Sequence, residues 1–76
     1  MTIVDQIEKE YEQLRLQRRD NPNLRGKQIH IYISPDHYRN LPTTIGGGFV
    51  WFMGCKVFVA ANPLRGEHPP FVMTFV

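Results

Sequence analysis

The residues of this chain that could hold a metal ion or build a nucleophile are Cys55, His30, His37 and His68. They stand apart, with no C-x-x-C or H-x-x-x-H spacing among them. A structural zinc site needs four such ligands converging from short, regular spacings, so the pattern predicts no metal site. Cys55 lies in an apolar run two residues before Val57, where a small buried side chain is expected rather than a reactive thiolate. Asp36 and His37 are adjacent; on a helix neighbouring side chains diverge, and Asp36 is better explained as an acid at the positive end of a helix. Gly46, Gly47 and Gly48 invite comparison with a phosphate loop, but that loop needs a lysine and a hydroxyl at a helix start, and here a strand follows. The glycines read as backbone freedom at the entry to that strand. With no base, orienting partner and reacting atom within reach of one another, no enzyme activity, catalytic residue, metal or cofactor is expected.

The one charged constellation with binding chemistry is Arg15, Arg18, Arg19, Arg25 and Lys27, with Gln13, Gln17 and Asn23 nearby. Such a group can contact nucleic-acid phosphates. Glu12 and Asp20 interrupt it, no aromatic residue is interleaved to stack bases, and a positive helix end is ordinary. The competing uses are a solvated face or a positive patch against an acidic protein surface.

These residues must be carried by a small set of elements. Thr2 and Asp5 form the T-x-x-D version of a capping box, which starts a helix. Val4, Ile7, Tyr11 and Leu14 then recur at steps of three and four, placing them on one stripe, with Ile3 and Leu16 beside it. Acids fill the first half of the helix and arginines the second, which suits the helix dipole and supports pairs such as Asp5 with Lys9 and Glu12 with Arg15. Asn21-Pro22-Asn23 ends the helix near residue 20. The stripe packs either on the chain's own sheet or on a second chain.

Gln28 to Ser34 alternates with period two, with Ile29, Ile31 and Ile33 on one face and His30 and Tyr32 on the other: a strand with one fully apolar face. Ser34-Pro35-Asp36 starts a short helix carrying Tyr38 and Leu41, which stops at Pro42, and Thr43 to Gly48 reads as a flexible glycine-rich approach. Gly46 to Ala60 then dominates the layout. It reads as a strand from Phe49 to Met53, a turn at Gly54 and a strand from Cys55 to Ala60, with so little charge that both faces are expected to be largely covered. A loop marked by Asn62-Pro63, Arg65-Gly66 and Pro69-Pro70 leads to a last strand, Phe71 to Val76. That strand is apolar on both sides, Phe71, Met73 and Phe75 against Val72 and Val76, and such a strand is adhesive unless paired or covered.

The expected fold is therefore α+β in one domain: an amphipathic helix over residues 1–20, packed on a mostly antiparallel sheet of about four strands within residues 28–76, with one short inserted helix. A chain of 76 residues buries only roughly 60% of its unfolded surface, and a single cysteine offers no internal disulfide, so a partner is the remaining source of stability. Hydrophobic content of 42% argues against a disordered tail. The formal charge of +2 is too small to name a partner. No run of 18 apolar residues exists and an acid appears by position 5, so neither a membrane span nor a secretory signal is expected.

From Ile29 onward the chain resembles the C-terminal part of the major capsid proteins of tailed bacteriophages. The likeness rests on IHIYISPDHYRNL, a glycine-rich segment, a glycine before a V-x-V strand in MGCKVFVAANPL, and a closing strand FVMTFV; it covers about Ile29 to Val76. A full capsid subunit also has a long spine helix, an extended loop and an N-terminal arm, which this chain lacks. The resemblance implies a non-enzymatic phage structural protein, a small head-associated or decorating component found in the host cytoplasm during synthesis and in the virion afterwards. Its partner would be a capsid subunit or another copy of itself. Val4, Ile7, Tyr11 and Leu14, or Phe71, Met73 and Phe75, are the expected partner contacts. The alternative is a small nucleic-acid-binding or host-regulating protein using Arg15 to Lys27.

Overall fold

The computed structural model describes residues 2–59 and 71–76, and the expectations for the loop between the last two strands, His68 included, lie outside them. Helix α1 spans Ile3–Asp20. Its start is fixed by the capping box: the Asp5 amide donates to Thr2 Oγ1 at 3.2 Å and the Thr2 amide donates to the Asp5 carboxylate at 3.4 Å. Two amides that a helix start would leave unpaired are thereby satisfied. At the other end the Asn21 side chain accepts from the Asn23 amide and opens a single 3-10 turn, Pro22–Leu24, which diverts the chain toward the sheet. Glu12 and Arg15 pair at 2.6 Å as their spacing suggests, whereas Asp5 is engaged in the cap rather than with Lys9.

Strand β1 is Ile29–Ile33, and the short helix α2, Pro35–Tyr38, follows with Ser34 at its N-cap. The Ser34 hydroxyl meets His37 Nδ1 at 2.8 Å instead of capping a backbone amide. Strands β2 (Thr44–Gly46), β3 (Phe49–Phe52) and β4 (Cys55–Val59) form a meander, and β5 is Phe71–Phe75. Both meander turns have two residues at positive φ, Gly47 (59°) with Gly48 (80°), and Met53 (54°) with Gly54 (77°). Two left-handed residues match the right-handed twist of the flanking strands, which is why tight hairpins favour them. The glycines at 47 and 48 therefore do serve positive φ, as part of a folded hairpin and not a flexible approach.

The five strands lie in the order β2-β3-β4-β1-β5. Three of the four pairings are antiparallel and the central one, β1 with β4, is parallel, with His30 opposite Lys56 and Tyr32 opposite Phe58. The fold is thus α+β as expected, with one strand more than anticipated and a parallel pair at its centre. A parallel neighbour requires a crossover, here supplied by α2 and the β2–β3 hairpin.

One face of the sheet carries the core. Ile29, Ile31 and Ile33 of β1, Cys55 and Val57 of β4 and Phe52 of β3 are buried, joined by Leu41 and by Ile3, Ile7 and Leu14 of α1; Ile7, Ile31 and Ile33 are wholly enclosed. Val4, Tyr11, Tyr38, Val50, Phe71, Met73 and Phe75 pack around this cluster. The apolar stripe of α1 therefore packs on the chain's own sheet.

Candidate functional site

The core cluster takes residues from one face of the sheet only, and the opposite face is not covered by α1 or α2. The expectation that the segment from Gly46 onward is largely covered on both faces therefore holds only in part among the described residues: Trp51, Lys56 and Phe58 are half-buried, while Phe49, Met53 and Val59 are exposed. The register lays out what the second face carries. Thr44, Trp51, Lys56, His30 and Thr74 stand opposite one another in one row across all five strands. In the adjacent row Phe58, Tyr32 and Val72 are direct neighbours, and Phe49 lies opposite Gly46. Side chains two apart on a strand share a face, so alternation with the buried Ile29, Ile31, Val57 and Phe52 turns these residues outward.

These rings cover one another in part. Tyr32 and Phe58 stack with centroids 5.3 Å apart, His30 tilts against Phe58 at the same distance, and Phe49 meets Trp51 edge to face at 6.4 Å. Lys56 Nζ stands 4.0 Å over the Phe49 ring and 5.7 Å over Trp51, a cation held against two π-faces. The indole of Trp51 is fixed by its N–H, which donates to the Gly46 carbonyl oxygen at 2.8 Å. No described acidic residue belongs to this face: Asp5, Glu8, Glu10, Glu12 and Asp20 are on α1 and Asp36 is on α2.

A second surface is the β5 edge. β5 pairs with β1 and, among the described residues, has no other strand beside it. Gln28 and Val76 exchange two backbone hydrogen bonds, 3.2 and 2.8 Å. Antiparallel pairs alternate between bonded and non-bonded positions, so His30 with Thr74 and Tyr32 with Val72 are bonded pairs too. The main-chain groups of Phe71, Met73 and Phe75 consequently point away from β1, toward the outer edge. Their side chains pack beside the core, while Val72 is 41% exposed on the other face.

The basic segment comes together around a hollow of about 410 Å³ lined by Arg15, Arg18, Arg19, Arg25 and Gly26. Lys27 does not line it; its carbonyl oxygen accepts from Arg18 at 3.0 Å. Arg15 is shared with Glu12, whose carboxyl it holds below the usual range through their hydrogen bond, and Arg19 approaches Asp20 at 3.3 Å.

Of the partner contacts suggested by the sequence, Ile7 and Leu14 are enclosed in the chain's own core and Val4 and Tyr11 pack against it, so this stripe is occupied within the chain. Cys55 is 4% exposed and burial pushes its thiol up, with nearby Arg18 acting weakly in the opposite direction. His30 lies on the open sheet face and His37 at α2, and among the described residues no three metal-ligating side chains converge. No described helix is long and apolar enough to cross a membrane. Sequence reasoning missed the ring cluster of Phe49, Trp51, Lys56 and Phe58. The signal is present in the alternation of β3 and β4, whose low charge instead suggests two largely covered faces. No protein-family model matches the chain, and comparison with curated proteins and with solved structures finds no match.

Proposed function

We propose that this protein is a non-enzymatic structural module that assembles by adding a strand to its β5 edge, with a second copy of the chain as the first occupant. The observation that carries this reading is the β5 edge itself: a five-residue strand, apolar in four of its five positions, whose outward main-chain groups meet no described strand. Main-chain hydrogen bonds supply affinity in such strand addition, and natural edges that avoid it carry lysine, proline or a bulge. None of these interrupts Phe71 to Phe75. Two copies meeting antiparallel along this edge form an isologous contact that closes on itself. The setting, a head-associated or decorating component of a phage particle with capsid subunits as further neighbours, rests on the resemblance of the last two thirds of the chain to capsid proteins.

A Met73→Pro variant tests the contact. It removes an outward amide and leaves the bonded pairs of β5 with β1 in place, so self-association should weaken while the fold persists. Val72→Lys, at an exposed position, places like charges near the paired edges and should act in the same direction without touching the core.

A second reading is supported by the gathering of Arg15, Arg18, Arg19 and Arg25 around one hollow, a concentration of positive charge suited to phosphate. On that reading the protein contacts nucleic acid, with an affinity that falls steeply as salt rises.

A further inference from the structure

We propose that the sheet face opposite α1 is a platform for single-stranded nucleic acid, with bases stacking on Tyr32, Phe58 and Trp51 and the backbone running past Lys56 and His30. This deepens the second reading by naming the surface that holds the bases. It is independent of the β5 edge.

Three features of the face favour this occupant. The rings of Tyr32, Phe58, Phe49 and Trp51 lie on adjacent strands in two neighbouring rows, so aromatic surface is concentrated on one face of the sheet. Bases in single strands are free to stack on aromatic side chains, whereas paired bases in a duplex are not available. Secondly, the charge is complementary. Lys56 is held against the rings of Phe49 and Trp51, and no described acid shares the face to repel phosphate.

Thirdly, the segment that carries Arg25 leads directly into β1, so the face ends beside it. The row containing His30 and Lys56 is the one nearest the start of β1, where Gln28 Oε1 lies 3.4 Å from His30 Nε2 and Lys27 accepts from Arg18. A strand running along β1 and β4, from Tyr32 and Phe58 past His30 and Lys56, leaves the sheet at the end where Arg25 and Gly26, which line the arginine hollow, precede β1. Bases on the rings and phosphates at the arginines is the division of labour that sequence-tolerant single-strand binding uses.

Trp51 is the only tryptophan, so its fluorescence reports on the face directly. The full chain is titrated at low salt with oligothymidylate of about twelve nucleotides, a mixed-sequence RNA of the same length and a DNA duplex, following Trp51 quenching and the anisotropy of labelled oligonucleotide. The expected result is quenching by both single strands, at least about tenfold weaker binding to duplex, and a loss of about tenfold in single-strand affinity for Tyr32→Ala. Tyr32→Phe should retain binding, and circular dichroism confirms that each variant is folded. Absence of binding at low salt overturns this proposal and the arginine reading together. Binding that is lost in Arg18→Ala with Arg25→Ala but unchanged in Tyr32→Ala and Phe58→Ala overturns the platform alone. So does equal affinity for duplex, or a Tyr32→Ala variant that loses self-association while keeping nucleic-acid affinity, which would assign the face to a protein contact.

Discussion

The rings of Tyr32 and Phe58 lie 5.3 Å apart and 22° from parallel, on directly paired positions of the two central strands. The pairing arises because β1 and β4 run parallel and in a register that sets Ile31 beside Val57 on the core face and Tyr32 beside Phe58 on the other. One register thus fixes both the core and the ring cluster on the opposite face, since a slip by one residue would exchange the two faces. A double-mutant cycle on Tyr32→Ala and Phe58→Ala, read by chemical denaturation, should give a coupling of about 0.5–1.5 kcal/mol. Strict additivity would mean that the stack does not persist in solution.

Core substitutions should separate sharply from those at exposed positions. Ile31 and Ile7 are wholly enclosed between sheet and helix, so Ile31→Ala and Ile7→Ala should each cost about 3 kcal/mol or more, a large part of the stability of a chain this size. Ile45, 83% exposed on the β2 edge, should tolerate Ile45→Ala within about 0.5 kcal/mol. Urea midpoints measure the difference. A mild Ile7→Ala would show that α1 is not docked as described.

The Met53-Gly54 turn holds a non-glycine residue at φ 54°, a conformation that asparagine tolerates better than methionine. Met53→Asn makes the Asn-Gly pair that such hairpins prefer and should raise stability by about 0.5 kcal/mol, while Gly54→Ala, at φ 77°, should lower it by about 1 kcal/mol. Thermal melts of both variants give the sign directly.

Cys55 makes a pH prediction. Burial raises its thiol pKa, so the folded state holds the proton more tightly than the unfolded chain does. The resulting stability is fully present below the ordinary thiol range and is lost as pH rises through the raised value. Cys55→Ala should flatten that alkaline decline, as followed by urea midpoints from neutral to alkaline pH. In the native protein at neutral pH, reaction with a thiol reagent should be at least about a hundredfold slower than in denaturant, because exposure requires opening of the core.

The local signals were legible where one physical cause acts alone. Thr2 with Asp5, the isoleucine alternation of β1, and Ser34-Pro35 at the start of α2 each state an element in a few residues, and each element forms there. The short strand β2 was not legible, because Thr44-Ile45-Gly46 has no alternation to detect and exists through pairing with Val50 and Trp51. The parallel centre was equally hidden. Strand neighbours are decided by how the Ile29 to Ile33 face shares a core with Cys55 and Val57, a long-range choice that no window of sequence contains. The ring face is hidden for a related reason: low charge in Phe49 to Val59 suggests two largely covered faces, whereas on one of them the cover among the described residues comes in part from the rings and Lys56 themselves.

The central claim is that the β5 edge accepts a strand from a second copy. Sedimentation velocity over about a hundredfold range of concentration tests it most directly, comparing the wild-type chain with Met73→Pro and Val72→Lys. A sedimentation coefficient that rises with concentration for the wild type, and stays at the monomer value for both folded variants, is the predicted result. A wild-type chain that remains monomeric throughout, or variants that associate as well as it does, would contradict the claim.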